Sequence, residues 1–240
     1  MELAHDRILN TATAVGSRSA SRRGLLRGTA AIAGGGALAL AGVPAFRGLT
    51  SAAAQEFDGP VDVLNFALTL EHLESAFYRD GLASLGAEAF TALDFQPGVF
   101  DYLSEISANE ATHVETLTAV ISDLGGEPVE EQAYDFGDAF TDAEVFLTTA
   151  AALENTGVEA YTGAAQFLIE EDELLTAALT IHGVEARHAA YLNILTGEDP
   201  FPESFNPAAT PEEVLEIAGQ FFADNADATP EGDDEATPDA

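Results

Sequence analysis

Four apolar stripes with the period of an α-helix follow one another in this chain, and one glutamate interrupts each of them. In the first stripe, apolar side chains recur at helical spacing over residues 61–82, and Glu71 stands where a core residue is expected. Glu110, Glu154 and Glu185 take the equivalent place in the next three stripes. Because an unpaired buried carboxylate is very costly, a fold that buries all four must neutralise them.

The stripes predict an all-α fold. Pro97 suits a first helical turn, Gly125-Gly126 suits a C-terminal cap, and Thr141 with Glu144 has the pattern of a capping box. Four helices of this length are typical of a bundle around one buried core. The bounds expected for the four long helices are 61–82, 97–124, 141–168 and 171–195.

The connections between these helices are unequal in length. The second connection, residues 125–141, holds 17 residues. Fully extended it reaches about 55 Å, which exceeds the ~40 Å length of the second helix. A long crossover between the second and third helices is therefore expected. A short fifth helix is predicted after Thr210-Pro211, ending near residue 222, because proline favours a first helical turn.

The second and fourth stripes also carry a histidine three residues after the glutamate. This spacing places both side chains on one helix face. The order Glu, Glu-x-x-His, Glu, Glu-x-x-His is the pattern of di-iron and di-manganese carboxylate bundles. Two divalent cations would neutralise four carboxylates, and carboxylate with imidazole suits iron or manganese. The predicted ligands are Glu71, Glu110, His113, Glu154, Glu185 and His188.

An alternative interpretation is that these groups are partly solvated acids of a very acidic protein, with an empty site. A single Glu-x-x-His carries little weight, because Glu2 and His5 form another one near the N-terminus. The metal-site interpretation rests on two such motifs on alternate helices, together with a core-facing glutamate on each of the other two helices.

Four residues near the predicted ligands are further candidates for the site. Tyr78 and Tyr161 each follow a predicted ligand by seven residues, so they are candidate hydrogen-bond partners of ligands, although a simple core role is also open. His182 lies about one turn before Glu185 and is a third candidate. Glu74 either joins the site or lies on its flank.

The basic residues are concentrated at the N-terminus. Six of the eight arginines lie at or before residue 47, and there is no lysine. A paired-arginine run at 21–27 precedes an apolar stretch at 28–46 and three alanines at 52–54, the order of a secretory signal of the twin-arginine type. We expect residues 1–54 to be read by the twin-arginine export machinery, with an extracellular or cell-surface destination. An uncleaved amphipathic or membrane-anchoring segment is the alternative.

The charge and composition of the rest exclude several classes of function. Residues 55–240 contain two arginines and 40 acids, which excludes nucleic acid as a partner. The chain has no cysteine, which excludes disulfides, thiolate zinc sites and iron–sulfur clusters. Residues 224–240 carry seven acids without an apolar period and are predicted to be a disordered tail, leaving 55–223 as the bundle domain.

The chain resembles the ferritin-like superfamily, and within it the exported ferritin-like domain proteins related to desiccation- and stress-associated proteins. The matching runs are residues 64–74, 154–161, 185–192 and 205–215. The resemblance spans residues 57 to 223 and implies a four-helix bundle with a dimetal site at the six predicted ligands. The signal segment and acidic tail differ from cytoplasmic storage ferritin, which disfavours a 24-subunit cage, while a smaller homo-oligomer stays open.

Two classes of function are compatible with these residues. One is a redox protein that uses two iron or manganese ions with dioxygen or peroxide, oxidising Fe(II) or detoxifying peroxide in stress defence. Residues 55–240 lack cysteine, methionine and tryptophan, the most easily oxidised side chains, which suits such chemistry. The other is a non-catalytic stress or surface protein whose site is empty or holds a structural metal.

The excess of acids over arginines predicts adaptation to a hypersaline milieu, with an ordinary acidic exported protein as the alternative. At 1 M salt the Debye length falls to ~3 Å, so repulsion among surface acids nearly vanishes. We expect the protein to lose its helical circular dichroism signal below about 1 M salt, since the repulsion is then unscreened. Full helicity in dilute buffer would contradict this interpretation.

Overall fold

The computed structural model describes residues 57–223, so the predicted signal segment and acidic tail lie outside the described residues. The described chain is all-helical, as predicted, and pairs in β fashion at only one bridge, Tyr134 with Phe222. None of the helices in this range is long and apolar enough to cross a membrane. The helices are α1 (Pro60–Thr91), α2 (Val99–Asp123), α3 (Ala143–Ala164), α4 (Asp172–Thr196) and α5 (Pro211–Ala218).

Helix α1 runs nine residues beyond its predicted end, because the chain kinks and then resumes the helix. The kink is at Gly86, whose φ of 68° and ψ of 168° lie in a region that glycine tolerates best. Beyond it, Phe90 is buried against Phe146, with ring centroids 5.5 Å apart. The apolar stripe seen in the sequence breaks at this kink, which explains why the prediction stopped at residue 82.

Two of the predicted helix starts differ from the structure. Helix α2 begins at Val99, after a left-handed Gly98 with φ 97°, so Pro97 precedes the helix and is not in its first turn. The capping box predicted at the start of α3 is wrong. The cap is Asp142, whose carboxylate accepts hydrogen bonds from the backbone N–H groups of Glu144 and Val145.

The predicted cap at the end of α2 is confirmed. The Gly125 N–H donates to the Ser122 carbonyl and the Gly126 N–H to the Ile121 carbonyl, both at 2.9 Å, which together form a Schellman motif.

The segment between α2 and α3 is a long crossover that follows α1, as the sequence predicted. Near the start of α1, the Asn65 side chain accepts a hydrogen bond from the Val129 N–H at 2.9 Å. Near the other end, the Ser84 hydroxyl donates to the Phe140 carbonyl at 2.8 Å. The crossover thus returns the chain along some 19 residues of α1, about 28 Å. Helix α3 therefore starts beside the C-terminal half of α1 and runs antiparallel to it.

The glutamates lie between two apolar clusters of the bundle interior. An aromatic cluster, centred on Phe77 stacked against Phe146 at 4.6 Å, fills the side of α1 beyond Glu71. An aliphatic cluster that includes Leu68 and Leu117 fills the side before it. The two clusters hold the four long helices together on either side of the charged layer.

Two glycines in helices provide a matched test of the packing. The Ala209 N–H donates to the Glu159 carbonyl at 3.1 Å, which brings that loop against α3. A Cβ on Gly163 would overlap the Ala209 carbonyl oxygen, whereas a Cβ on Gly183 of α4 meets open space. We expect Gly163→Ala to lower the free energy of unfolding by about 1–3 kcal/mol. Gly183→Ala should raise it by about 0.5–1 kcal/mol, since alanine favours helix.

The measurement is urea unfolding of both variants in high salt, followed by helical circular dichroism. Equal effects of the two substitutions would show that the loop does not press on α3.

Candidate metal centre

The six predicted ligands meet in the charged layer at the middle of the bundle. Glu71 comes from α1, Glu110 and His113 from α2, and Glu154 from α3, while α4 adds Glu185 and His188. All four glutamates are completely buried, and the two histidines are buried with 8% and 6% of their surface exposed. Each long helix therefore places the glutamate that interrupts its apolar stripe at one common point.

The six residues form two overlapping groups that could each hold a metal ion. In each group the nitrogen and oxygen ligand atoms all lie within 4.8 Å of one another. Glu110 and Glu185 belong to both groups. Glu71 with His113 completes one group, and Glu154 with His188 completes the other. Two cations with two shared carboxylates fit this arrangement.

Each imidazole faces three carboxylates through its Nδ1 atom. His113 Nδ1 lies 3.1 Å from an oxygen of each of Glu71, Glu110 and Glu185. His188 Nδ1 lies 3.0 Å from Glu110 Oε1, 3.3 Å from Glu154 Oε2 and 3.8 Å from Glu185 Oε2. The two halves of the centre are thus related by an approximate two-fold arrangement, with the shared carboxylates between them.

Both candidate tyrosines bind ligand glutamates, but each binds the one on the other helix. The Tyr78 hydroxyl of α1 donates to Glu154 Oε1 at 2.6 Å, and the Tyr161 hydroxyl of α3 donates to Glu71 Oε1 at 2.6 Å. Seven residues span about 10 Å of helix, which is too far for a tyrosine to reach the glutamate on its own helix. The antiparallel register of α1 and α3 sets each tyrosine opposite the other glutamate.

The structure does not bring His182 to the ligand cluster. Its Nε2 atom lies 3.1 Å from the Thr162 hydroxyl and 3.3 Å from Asn206 Nδ2. His182 lies about one turn from Glu185 along α4, and its contacts are with α3 and the segment before α5, outside the charged layer.

One residue next to the centre, Asn109, is not a candidate from the sequence. Asn109 Nδ2 lies 3.1 Å from His188 Nε2, the ring nitrogen that points away from the carboxylates, and it joins α2 to α4. No sequence signal marks it, because it is the exposed neighbour of a ligand.

Glu74 is a fifth buried carboxyl group, with 3% of its surface exposed. Burial, together with the charges of Glu185 and Glu154, raises the pKa of Glu74 well above its usual range. Gly157 makes room for it, since a Cβ there would lie 3.2 Å from Glu74 Oε1. In the sequence, the three-residue spacing of Glu74 from Glu71 is compatible with a place in the site or on its flank.

Several ligand atoms are buried without a hydrogen bond, and this tests whether a metal fits. Buried polar groups in native proteins nearly always have partners. These atoms all belong to predicted ligands and face the interior of the cluster, where cations would satisfy them. Four carboxylates with two imidazoles form a donor set suited to iron or manganese. Within the described chain the atoms are Glu110 Oε1, Glu154 Oε2, Glu185 Oε1 and Oε2, and His188 Nδ1.

Burial and mutual repulsion store protons on this cluster when no metal is bound. Burial, then the charge of Glu185, raises the pKa of Glu71 and of Glu154. Burial opposes charging of the imidazoles, but the facing carboxylates outweigh it and raise the pKa of His113 and His188 to about 12. Burial also acts to raise the pKa of Glu185, yet the close approach of both histidines outweighs it and lowers that pKa to about 2. Metal binding must displace the stored protons.

These shifts predict that the metal-free protein loses stability as the pH rises. Raised pKa values mean that the folded state binds more protons than the unfolded chain. The contribution of each imidazole is complete below its ordinary value of 6.5 and is lost between there and about 12. Within this range the folded state retains protons that the unfolded chain releases, so the free energy of unfolding falls as the pH rises. Glu185 acts oppositely, but only as the pH falls from 4.5 towards 2.

The measurement is urea unfolding of chelator-treated protein at pH 6 and pH 9 in high salt, beside protein loaded with Mn(II). We expect the loss at pH 9 only without metal. His113→Gln should reduce the pH dependence, whereas His72→Gln, outside the cluster, should retain it. A metal-free protein that is equally stable at both pH values would contradict the proton storage.

A comparison with known families agrees with this geometry. The family model described as the ferritin-like domain matches residues 59–198. That span covers α1 to α4 completely and contains all six residues of the two groups. No curated protein matches the chain.

Proposed function

The chain belongs to the ferritin-like domain family, and we propose that its centre binds two iron or manganese ions and oxidises Fe(II) or detoxifies peroxide. The observation that carries this proposal is the set of buried ligand atoms without hydrogen bonds, which face one another between two groups that share Glu110 and Glu185. Bound iron or manganese would supply one-electron redox chemistry with dioxygen or peroxide as the oxidant.

Some of the predicted ligands would bind both ions, and the others would bind one ion each. Glu110 and Glu185 would serve both ions, because both groups include them. Glu71 and Glu154 would each serve one ion. In each of these two, one oxygen accepts the tyrosine hydrogen bond and the other faces a histidine at 3.1 or 3.3 Å. The tyrosines therefore fix the orientation of these carboxylates, as outer hydrogen bonds commonly do for metal ligands.

The surroundings of the centre suit a reactive oxidant. The four glutamates have no exposed surface, and apolar clusters lie on both sides of them, so bulk water is kept away. Residues 55–240 contain no cysteine, methionine or tryptophan that such an oxidant would damage first. The chain thereby tolerates the chemistry that the centre would perform.

The same proposal includes export and a role in stress defence. It rests on the paired arginines and apolar stretch of residues 1–54 and on the acidity of the remainder. An extracellular or cell-surface protein with this centre would remove peroxide or Fe(II) before either reaches the cell.

The first test is the metal content of the protein. We expect two iron or manganese ions per chain by mass spectrometry after purification in high salt. Glu110→Ala and Glu185→Ala should abolish uptake of both ions, because each removes a shared carboxylate. Glu115→Ala, at an exposed position of α2, is the matched control and should keep both ions.

The same preparations distinguish the two classes of function. Loaded wild-type protein is expected to oxidise Fe(II) or consume peroxide with turnover, and the two shared-carboxylate variants should not. A protein that binds two ions without turnover would be the non-catalytic alternative with a structural metal. A protein that cannot be loaded at all, or variants that keep the wild-type stoichiometry, would overturn the metal assignment.

A further inference from the structure

A cavity of about 30 Å³ lies inside the bundle on the side of the centre opposite the aromatic cluster. All four long helices contribute to its wall. Its wall includes Ala67, Thr116, Leu117, Tyr161, Ala178 and Ile181.

The cavity is one helical turn from the predicted ligands on three helices. Ala67 precedes Glu71 by four residues, and Leu117 follows His113 by four. Ile181 precedes Glu185 by four. From α3, Tyr161 lines the cavity while its hydroxyl donates to Glu71 Oε1 at 2.6 Å. A molecule in the cavity is therefore separated from the centre by the tyrosine ring and one layer of side chains.

The lining favours an apolar occupant over water. Among residues 57–223, only two side-chain hydroxyls line the cavity, those of Thr116 and Tyr161, and both are already engaged. The Thr116 hydroxyl donates to the Thr112 carbonyl at 2.7 Å, and the Tyr161 hydroxyl binds Glu71. A buried water needs two to four polar partners, whereas apolar cavities of sufficient size stay dry and bind apolar gases. Hydrogen peroxide has the same need for partners as water.

The cavity also has a side that approaches solvent. Thr116 of α2 is exposed, and Ala178 of α4 is only half-buried. On the other side of the centre, α2 and α4 are joined through Asn109 with His188 and through Tyr102 with Tyr191, whose ring centroids are 5.7 Å apart. These two contacts between α2 and α4 lie away from the cavity, where the exposed Thr116 and the half-buried Ala178 line its wall.

We propose that this cavity binds dioxygen and delivers it to the dimetal centre. The role in delivery rests on the proposed function, but the affinity of the cavity for a small apolar gas does not. Its apolar lining, its engaged hydroxyls and its place one turn from the ligands all point to the same occupant.

The first experiment measures gas binding without metal. Xenon, an apolar probe, is bound to chelator-treated full-length protein in high salt and detected by xenon NMR. We expect wild type to bind it, Ala178→Val to bind it more weakly and Ala178→Leu to lose it. Ala119→Leu makes the same change at an exposed position of α2 outside the cavity and should bind as wild type does. Helical circular dichroism checks that each variant is folded. Absence of xenon binding in wild type, or equal binding in Ala178→Leu, would overturn the assignment.

The second experiment measures delivery in the metal-loaded protein. In Ala178→Leu the KM for dioxygen in Fe(II) oxidation should rise roughly tenfold with kcat unchanged, because only binding before the reaction is lost. Metal stoichiometry and peroxide-driven oxidation should stay at the wild-type level, since peroxide does not use the apolar cavity. An equal slowing with both oxidants, or no change with dioxygen, would exclude the delivery role. Failure to load metal would overturn the proposed function while leaving the xenon result to decide the cavity.

Discussion

The burial of like-charged carboxyl groups at one point is the constraint on which the rest of the structure depends. Glu71, Glu110, Glu154 and Glu185 have no exposed surface, and each comes from a different helix. The four helices can pack only if protons or cations neutralise this layer, because unpaired buried charge is costly. Protonation of carboxyls and imidazoles can do so in the metal-free protein, and two divalent cations can do so in the loaded one. The four helices therefore pack together only when the charge of this layer is neutralised.

The long crossover has a role in this chemistry as well as in the topology. A short turn after α2 would start α3 at the N-terminal end of α1, and the two helices would run parallel. By returning along α1, the crossover makes α3 antiparallel to it. Only in that direction does Tyr78 meet Glu154 while Tyr161 meets Glu71. The orientation of two ligand carboxylates therefore depends on a loop that does not touch them.

The sequence predicted the helices and the six clustered residues because both depend on the period of a single helix. A glutamate in an apolar stripe must face the core, whatever the neighbouring helix does. Contacts between helices depend on register, which no period reveals. For that reason the partners of the tyrosines, the place of His182 and the contact of Asn109 with His188 came only from the structure. The kink at Gly86 and the cap at Asp142 are local features. Each depends on one residue, and the period of the apolar stripes does not mark either residue.

The approximate two-fold arrangement of the centre has a consequence for how the chain assembles. The first helical hairpin, α1 with α2, holds Glu71, Glu110 and His113, and the second, α3 with α4, holds the other three ligands. Neither hairpin contains a complete group, because each group takes a shared carboxylate from the opposite hairpin, and each tyrosine bond also passes between them. The centre therefore exists only after the hairpins have docked. Metal ions bound there would link the two hairpins of one chain. Loss of the metal would weaken the contact between the hairpins before either hairpin unfolded.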